Sequence, residues 1–371
     1  MNLPRNILRW IVAWGSIGAI FWLGGDLLAD LRAPLPAAGL FLWLLAVILW
    51  CVFGVVEEAD HLAELLGEPL GTLILTLSVV GIEVALIGAV MQGAHAAPTL
   101  GRDTMFAVLM IILNGVVGLA LLLGGLRHGQ QSYNLQGASA YIAVILTLSV
   151  VALILPNFTQ STADASLTKI QAFFFSLFAF LLSGVFQTVQ TILHRHFFIE
   201  PHLVESPDAA SDRFAREPRS AVTIGRHILF LLLTLLPIVL LAKSTAKLID
   251  YGIVATHAPT ALGGLLIAAI VFMPEGMSAL KAALANQLQR AVNLCLGSAA
   301  STIGLTVPAV LAIGLLSGRP VILGVDNVGM VLLVITMALN LITFGGPSTT
   351  ILTGMVHLVV FFVYIVLIFS P

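Results

Sequence analysis

Apolar runs long enough to cross a bilayer recur along this chain, at about residues 10–28, 40–56, 70–92, 104–125, 138–156, 170–193, 227–242, 260–280, 291–316, 321–343 and 350–369. The runs are continuously apolar and do not alternate, which predicts helices and argues against a barrel. Charge agrees: only 9% of the 371 residues are charged, against about 25% in soluble domains. A surface this poor in charge is wetted by lipid, so the bilayer is the first partner. The expected fold class is an all-α polytopic membrane protein of about eleven transmembrane helices. A balance of 16 basic against 18 acidic side chains leaves no polycationic patch, and nucleic acid has no footprint here. Cys51 and Cys295 fall inside apolar runs and read as buried thiols. Arg5 and Arg9 precede a first run that lacks a small-x-small cleavage site, which reads as an uncleaved helix.

One long polar stretch, His194 to Arg226, divides the chain. The expected organisation is an N-terminal helix and loop over 1–38, a first half over 39–193, the polar loop over 194–226 and a second half over 227–371. Alternating sides from a cytoplasmic N-terminus places 10 of the Lys and Arg residues inside and 6 outside, the orientation that favours cytoplasmic positive charge.

Within "PLGTLILTLSVVGIEVALIGAVM", Pro69 to Met91, Glu83 is the single ionisable group among 23 residues. A second lone acid, Glu275, lies in "ALGGLLIAAIVFMPEGMSAL", Ala261 to Leu280. A shift of 192 residues superposes Gly71 on Gly263, Leu73 on Leu265, Ile74 on Leu266 and Glu83 on Glu275. An odd number of spans separates the two runs, so the copies cross the membrane in opposite directions, an arrangement common in secondary transporters. The expected architecture is two inverted five-helix repeats plus an extra N-terminal helix. Glu83 lies fourteen residues from Pro69, roughly 21 Å along a helix and deep in a core about 30 Å thick. A carboxylate at that depth costs about 2.5–3.5 kcal/mol on insertion scales. Gly81 and Pro274 precede the acids, and a proline leaves the carbonyl four residues earlier, that of Ile270, without its helical donor. Two carboxylates with one divalent cation sum to zero, as do two protonated carboxyls, and a monovalent cation plus one proton balances as well. Desolvation lets protons compete with metal. The chemistry this suggests is cation/proton antiport, with the two ions taking turns on the same oxygens.

The segments "LAELLGEPLGTLILTLSVVGIEVALIG", "AAPTLGRD" and "PEGMSALKAALANQLQRAVNLCLGSAASTIGLTVP" resemble the cation/calcium exchanger superfamily, and within it the ChaA-type sodium(potassium)/calcium–proton antiporters. The resemblance implies that Glu83 and Glu275 are the central metal and proton ligands, that Ca2+, Na+ or K+ and H+ are transported with no cofactor, and that the chain sits in a bacterial inner membrane. It also implies a supporting role for the pair Gly297-Ser298, with Ser301 and Thr302 one turn on. Where exchangers often carry Gly-Asn ahead of each acid, this chain has Val79-Val80 and Val271-Phe272. Those amide oxygens are missing, and calcium takes six to eight oxygens, so sodium and potassium stand beside it as substrates. Thr72, Thr76, Ser78, Asn114 and Thr306 are the candidate replacements.

Glu57, His61, Glu64 and Glu68 follow spacings of 4, 3 and 4, one face of a helix on the cytoplasmic side that could gather cations or sense pH. His194, His196 and His202 read as part of a wet loop. Asp326 and Asn327 mark the start of a late span, and Asn340 lies deep within it. An intramembrane hydrolase would need a His-Glu-x-x-His helix, paired aspartates or a Ser/His couple, and no such motif occurs; a phosphate-binding Gly-rich loop is absent too. A passive cation channel remains the rival class, separable from an antiporter because it moves cations without protons.

Overall fold

The computed structural model describes residues 3–29, 34–66, 70–91, 98–162, 165–199, 221–318 and 321–370. Among them eleven helical segments follow one another: α1 (Leu3–Ala29), α2 (Pro34–Leu66), α3 (Leu70–Met91), α4 (Leu100–His128), α5 (Leu135–Phe158), α6 (Lys169–Leu193), α7 (Ala221–Thr256), α8 (Ala261–Leu284), α9 (Leu288–Ser317), α10 (Asn327–Thr343) and α11 (Ile351–Phe369). Each apolar run of the sequence is one of these helices. Two are much longer than their apolar cores. The run 40–56 is the middle of the 33-residue α2, and 227–242 that of the 36-residue α7, about 50 Å and 54 Å long. Pro237 lies inside α7 without ending it, since a membrane helix can lose one backbone bond where neighbours compensate. The run 321–343 is shorter than expected: 321–326 are not helical, and Asp326 caps α10 by accepting from the Gly329 amide at 2.7 Å.

The 192-residue shift holds beyond the two acid-bearing runs. It carries α3 onto α8 and α4 onto α9, and each second helix of these pairs contains a wide π turn, Ile111–Val116 in α4 and Thr302–Thr306 in α9. Asn114 and Thr306 share one register in them. The fold is two inverted five-helix repeats with α1 added in front. Contacts group the chain differently, into one compact unit of Met1–Leu100 with Arg219–Val271 and another of Gly101–Pro218 with Phe272–Pro371. Each unit therefore draws on both halves of the sequence.

In the first unit α7 packs along α2 and α3, and α1 lies against α7 and α2. Aromatic and polar contacts hold α1 in place. Trp10 stacks edge-on against Phe230 at 4.8 Å and donates its indole N–H to Thr234 Oγ1 at 2.9 Å, while Trp43 donates to Ser16 Oγ at 3.0 Å. At one end a buried polar cluster ties three helices. Glu58, 2% exposed, accepts from Asn6 Nδ2 at 2.8 Å and meets His227 Nδ1 at 2.7 Å. The Arg9 guanidinium, with none of its side chain exposed, donates to Asn6 Oδ1 at 3.2 Å and to Glu57 Oε2 at 3.3 Å. It lies directly over Gly54, where any Cβ would overlap it.

In the second unit α4 and α11 approach backbone to backbone. A Cβ on Gly354 would lie 2.5 Å from the Leu122 amide nitrogen and 2.8 Å from the Gly118 carbonyl, and one on Gly118 would lie 3.1 Å from the Gly354 carbonyl. Small residues permit this contact where hydrophobic burial supplies no force between helices in lipid. A two-residue ladder, Gln131–Ser132 against Ser348–Thr349, joins the α4–α5 and α10–α11 connections, and Tyr133 donates its hydroxyl to the Gly346 carbonyl at 2.5 Å. Large apolar side chains face outward along α6 and α11, among them Phe178, Phe180, Leu181, Phe362 and Val366, where acyl chains would cover them.

Two stability changes are expected, both measured as shifts in Tm of the detergent-solubilised protein. Gly354→Ala forces a methyl against backbone and lowers stability by about 1–3 kcal/mol, whereas Gly184→Ala, with no atom within 4 Å of the new methyl, leaves it unchanged or higher. Glu58→Ala removes the acceptor of two buried donors and lowers stability by about 1–3 kcal/mol for each one left unsatisfied.

Candidate ion-binding site

In the first unit, Glu83 projects from α3 and is 1% exposed. Ser78, five residues earlier on the same helix, is buried as well, while a Cβ at Gly81 would meet no atom within 4 Å. The side chains of Thr72 and Thr76 lie outside the described residues.

In the second unit, Glu275 follows Pro274 within α8, which continues through the proline to Leu284. Both carboxyl oxygens of Glu275 are shielded from solvent. Glu275 borders a recess of about 10 Å³ with an apolar lining, also formed by Ile112 and Val116 of the wide turn in α4, by Gly276, and by Cys295 and Ser298 of α9. That is about the volume one water needs. Ser298, singled out in the sequence, therefore does share a cavity with Glu275.

The other candidate ligands of this unit are placed elsewhere. Ser301 is half-buried; Thr302 and Thr306 are buried in the wide turn of α9, and none of the three lines the recess. Asn114, fully buried, sits midway between Ile112 and Val116 and turns its amide to other helices. Its Nδ2 donates to Thr336 Oγ1 of α10 at 2.8 Å, and its Oδ1 lies 3.3 Å from His357 Nδ1 of α11. Asn340 is buried with its Nδ2 on the Thr336 carbonyl at 2.8 Å.

The acidic face on α2 splits in the structure. Glu57 bonds Arg5 at 3.1 Å as well as Arg9, and the His61 ring lies 5.6 Å from that of His227. The Glu64 side chain, Glu68 and His202 lie outside the described residues. Glu58, on the neighbouring face of α2, is the more buried acid because that face meets α1 and α7. Its partners Asn6 and His227 carry no sequence signal; Arg9, which bonds Asn6 and Glu57, is marked only by standing four residues after Arg5. His357 does carry one: it is the sole charge-bearing residue type in the final apolar run. Among the described residues no group of three or more His, Cys, Asp or Glu side chains is arranged to hold a metal ion.

The sodium/calcium exchanger protein family matches residues 36–189 and 226–370. The chain is 41% identical over 317 residues to the putative ionic transporter y4hA of Sinorhizobium fredii, covering 85% of this chain and 84% of that protein. It is 38% identical over 323 residues to the sodium-potassium/proton antiporter ChaA of Escherichia coli, covering 87% of each. In fold it is similar to native YfkE, with a TM-score of 0.71 at 14% identity over 98% of this chain and 100% of that one; a second YfkE structure is described as a Ca2+/H+ antiporter. These relatives are transporters and not enzymes, and the chain belongs to the sodium/calcium exchanger family.

Proposed function

We propose that this protein is a secondary active antiporter that exchanges Na+, K+ or Ca2+ for H+ by alternating access. One observation carries the reading: the lone acid of each register-matched run is shielded from solvent, Glu83 as a whole residue in α3 and Glu275 through both carboxyl oxygens in α8. A buried carboxyl is stable when protonated or when a cation neutralises it, and each state excludes the other. Glu83 and Glu275 are the residues that bind the metal and the proton. Ser298 supplies a neutral oxygen beside Glu275, and Ser78 is the candidate for that role on α3, with the Thr76 side chain outside the described residues. Ser301 and Thr302, outside the recess, are further candidate ligands on α9, while Asn114, whose amide is committed to Thr336 and His357, supports the site by holding the wide turn. The names of ChaA and YfkE support a proton counter-ion, and between them they span monovalent and divalent cations.

The same reading divides the chain into repeat halves over 39–193 and 227–371, with a cytoplasmic N-terminus in a bacterial inner membrane. Glu57 and His61 lie on the cytoplasmic side, Glu57 paired with Arg5 and Arg9 and His61 beside His227. The rival, a passive cation channel, would move cations without countertransport of protons. In everted vesicles with a pH-sensitive dye, addition of sodium, potassium or calcium is expected to dissipate an imposed proton gradient. Glu83→Gln and Glu275→Gln should each abolish that response while leaving protein abundance intact. Exchange at the parent rate in either variant would remove that acid from the site.

A further inference from the structure

The wide turn in α4 has two sides. Ile112 and Val116, four residues apart, wall the recess beside Glu275, and Val116 reaches to 3.3 Å from where a Cβ of Gly276 would stand. Asn114 lies two residues from each, about half a turn round, and is anchored away from the recess. Its anchors form a directed chain. The amide oxygen of Asn114 can only accept, so His357 Nδ1 must carry the proton of that bond. The neutral ring then accepts at Nε2, from the Thr343 hydroxyl at 2.9 Å. Asn114 Nδ2 in turn donates to Thr336 Oγ1 at 2.8 Å, and the Thr336 hydroxyl faces Met110 Sδ at 3.7 Å.

A π turn breaks the regular helical ladder, and such turns cluster at functional sites. In hydrocarbon, the backbone groups it releases need partners from neighbouring helices. His357 is fully buried and reaches the turn because Gly118 and Gly354 bring α4 and α11 into backbone contact. The imidazole bonds the side chain of one residue of the turn, Asn114.

We infer that His357 is a positioning residue for ion binding: through Asn114 it fixes the wide turn of α4, and thereby the wall that Ile112 and Val116 present to the recess of Glu275. This rests on the antiport reading and adds a residue remote from the ion. Neither His357 nor Asn114 lines the recess, so their effect should appear in affinity and not in abundance.

The test uses the full-length protein in everted vesicles, with apparent KM and Vmax measured separately for Na+, K+ and Ca2+. His357→Leu should raise the apparent KM for the transported ion about fivefold or more, within the range by which hydrogen-bonded neighbours couple, with Vmax per protein held within about twofold. His357→Asn, which keeps a donor near the position of Nδ1, should restore the parent KM. Asn114→Leu should match His357→Leu, and the double variant should be no worse than either alone. The inference is overturned if His357→Leu keeps the parent KM, if its defect lies only in abundance or Vmax, if His357→Asn fails to rescue, or if the two single effects multiply. Failure of the antiport reading looks different: the parent then moves no protons in response to cations, or Glu275→Gln exchanges as the parent does.

Discussion

A carboxylate can persist in the hydrocarbon of a membrane only with its charge cancelled, and the rest of this structure answers to that requirement. Hydrocarbon offers no water to solvate Glu83 or Glu275, so proton and cation are alternative solutions to one electrostatic problem. The fold places this problem twice, once in each repeat, in helices that run in opposite directions. Beside Glu275 lies a small recess with apolar walls, with Ser298 among its lining residues. On the proposed antiport reading, few neutral oxygens leave the carboxyl to provide most of the binding, which would make protonation an effective competitor for the ion.

Keeping such a site open requires helices that hold their positions without hydrophobic force between them. The structure meets this with two devices. Backbone contact at Gly118 and Gly354 fixes α4 against α11. Buried polar bonds then set the finer geometry: Asn114, Thr336, His357 and Thr343 in the second unit, and Asn6, Arg9, Glu58 and His227 in the first. The first unit concentrates its buried ionisable groups where α1 meets α2 and α7. This gives the extra N-terminal helix a definite task, since three long helices are joined there by charge-assisted bonds.

Much of the fold was legible in the sequence because membrane helices are written in one dimension. Apolar length marks each span, and the lone acids set the repeat shift that the helices and wide turns then follow. Helix ends were less legible: α2 continues past its apolar run because Glu57 and Glu58 find partners on α1 and α7, which no local pattern records. The site divides along the same line. Ser298 was visible as a hydroxyl on the helix after Glu275, and it borders the recess. Asn114 was equally visible, yet its amide is committed to α10 and α11, because the wide turn rotates it away from its neighbours. Contacts that depend on π turns and on glycine-mediated approach arise between helices distant in sequence, so periodicity could not foretell them.

The central claim is that proton and cation occupy the same carboxyl oxygens. It is tested most directly by measuring protons released when Na+, K+ or Ca2+ is added to the purified, detergent-solubilised protein in weakly buffered solution with a pH dye. The account predicts saturable proton release on addition of the transported ion to the parent protein, and none from the double variant Glu83→Gln/Glu275→Gln. Cation binding without proton release, or equal release from the double variant, would contradict it.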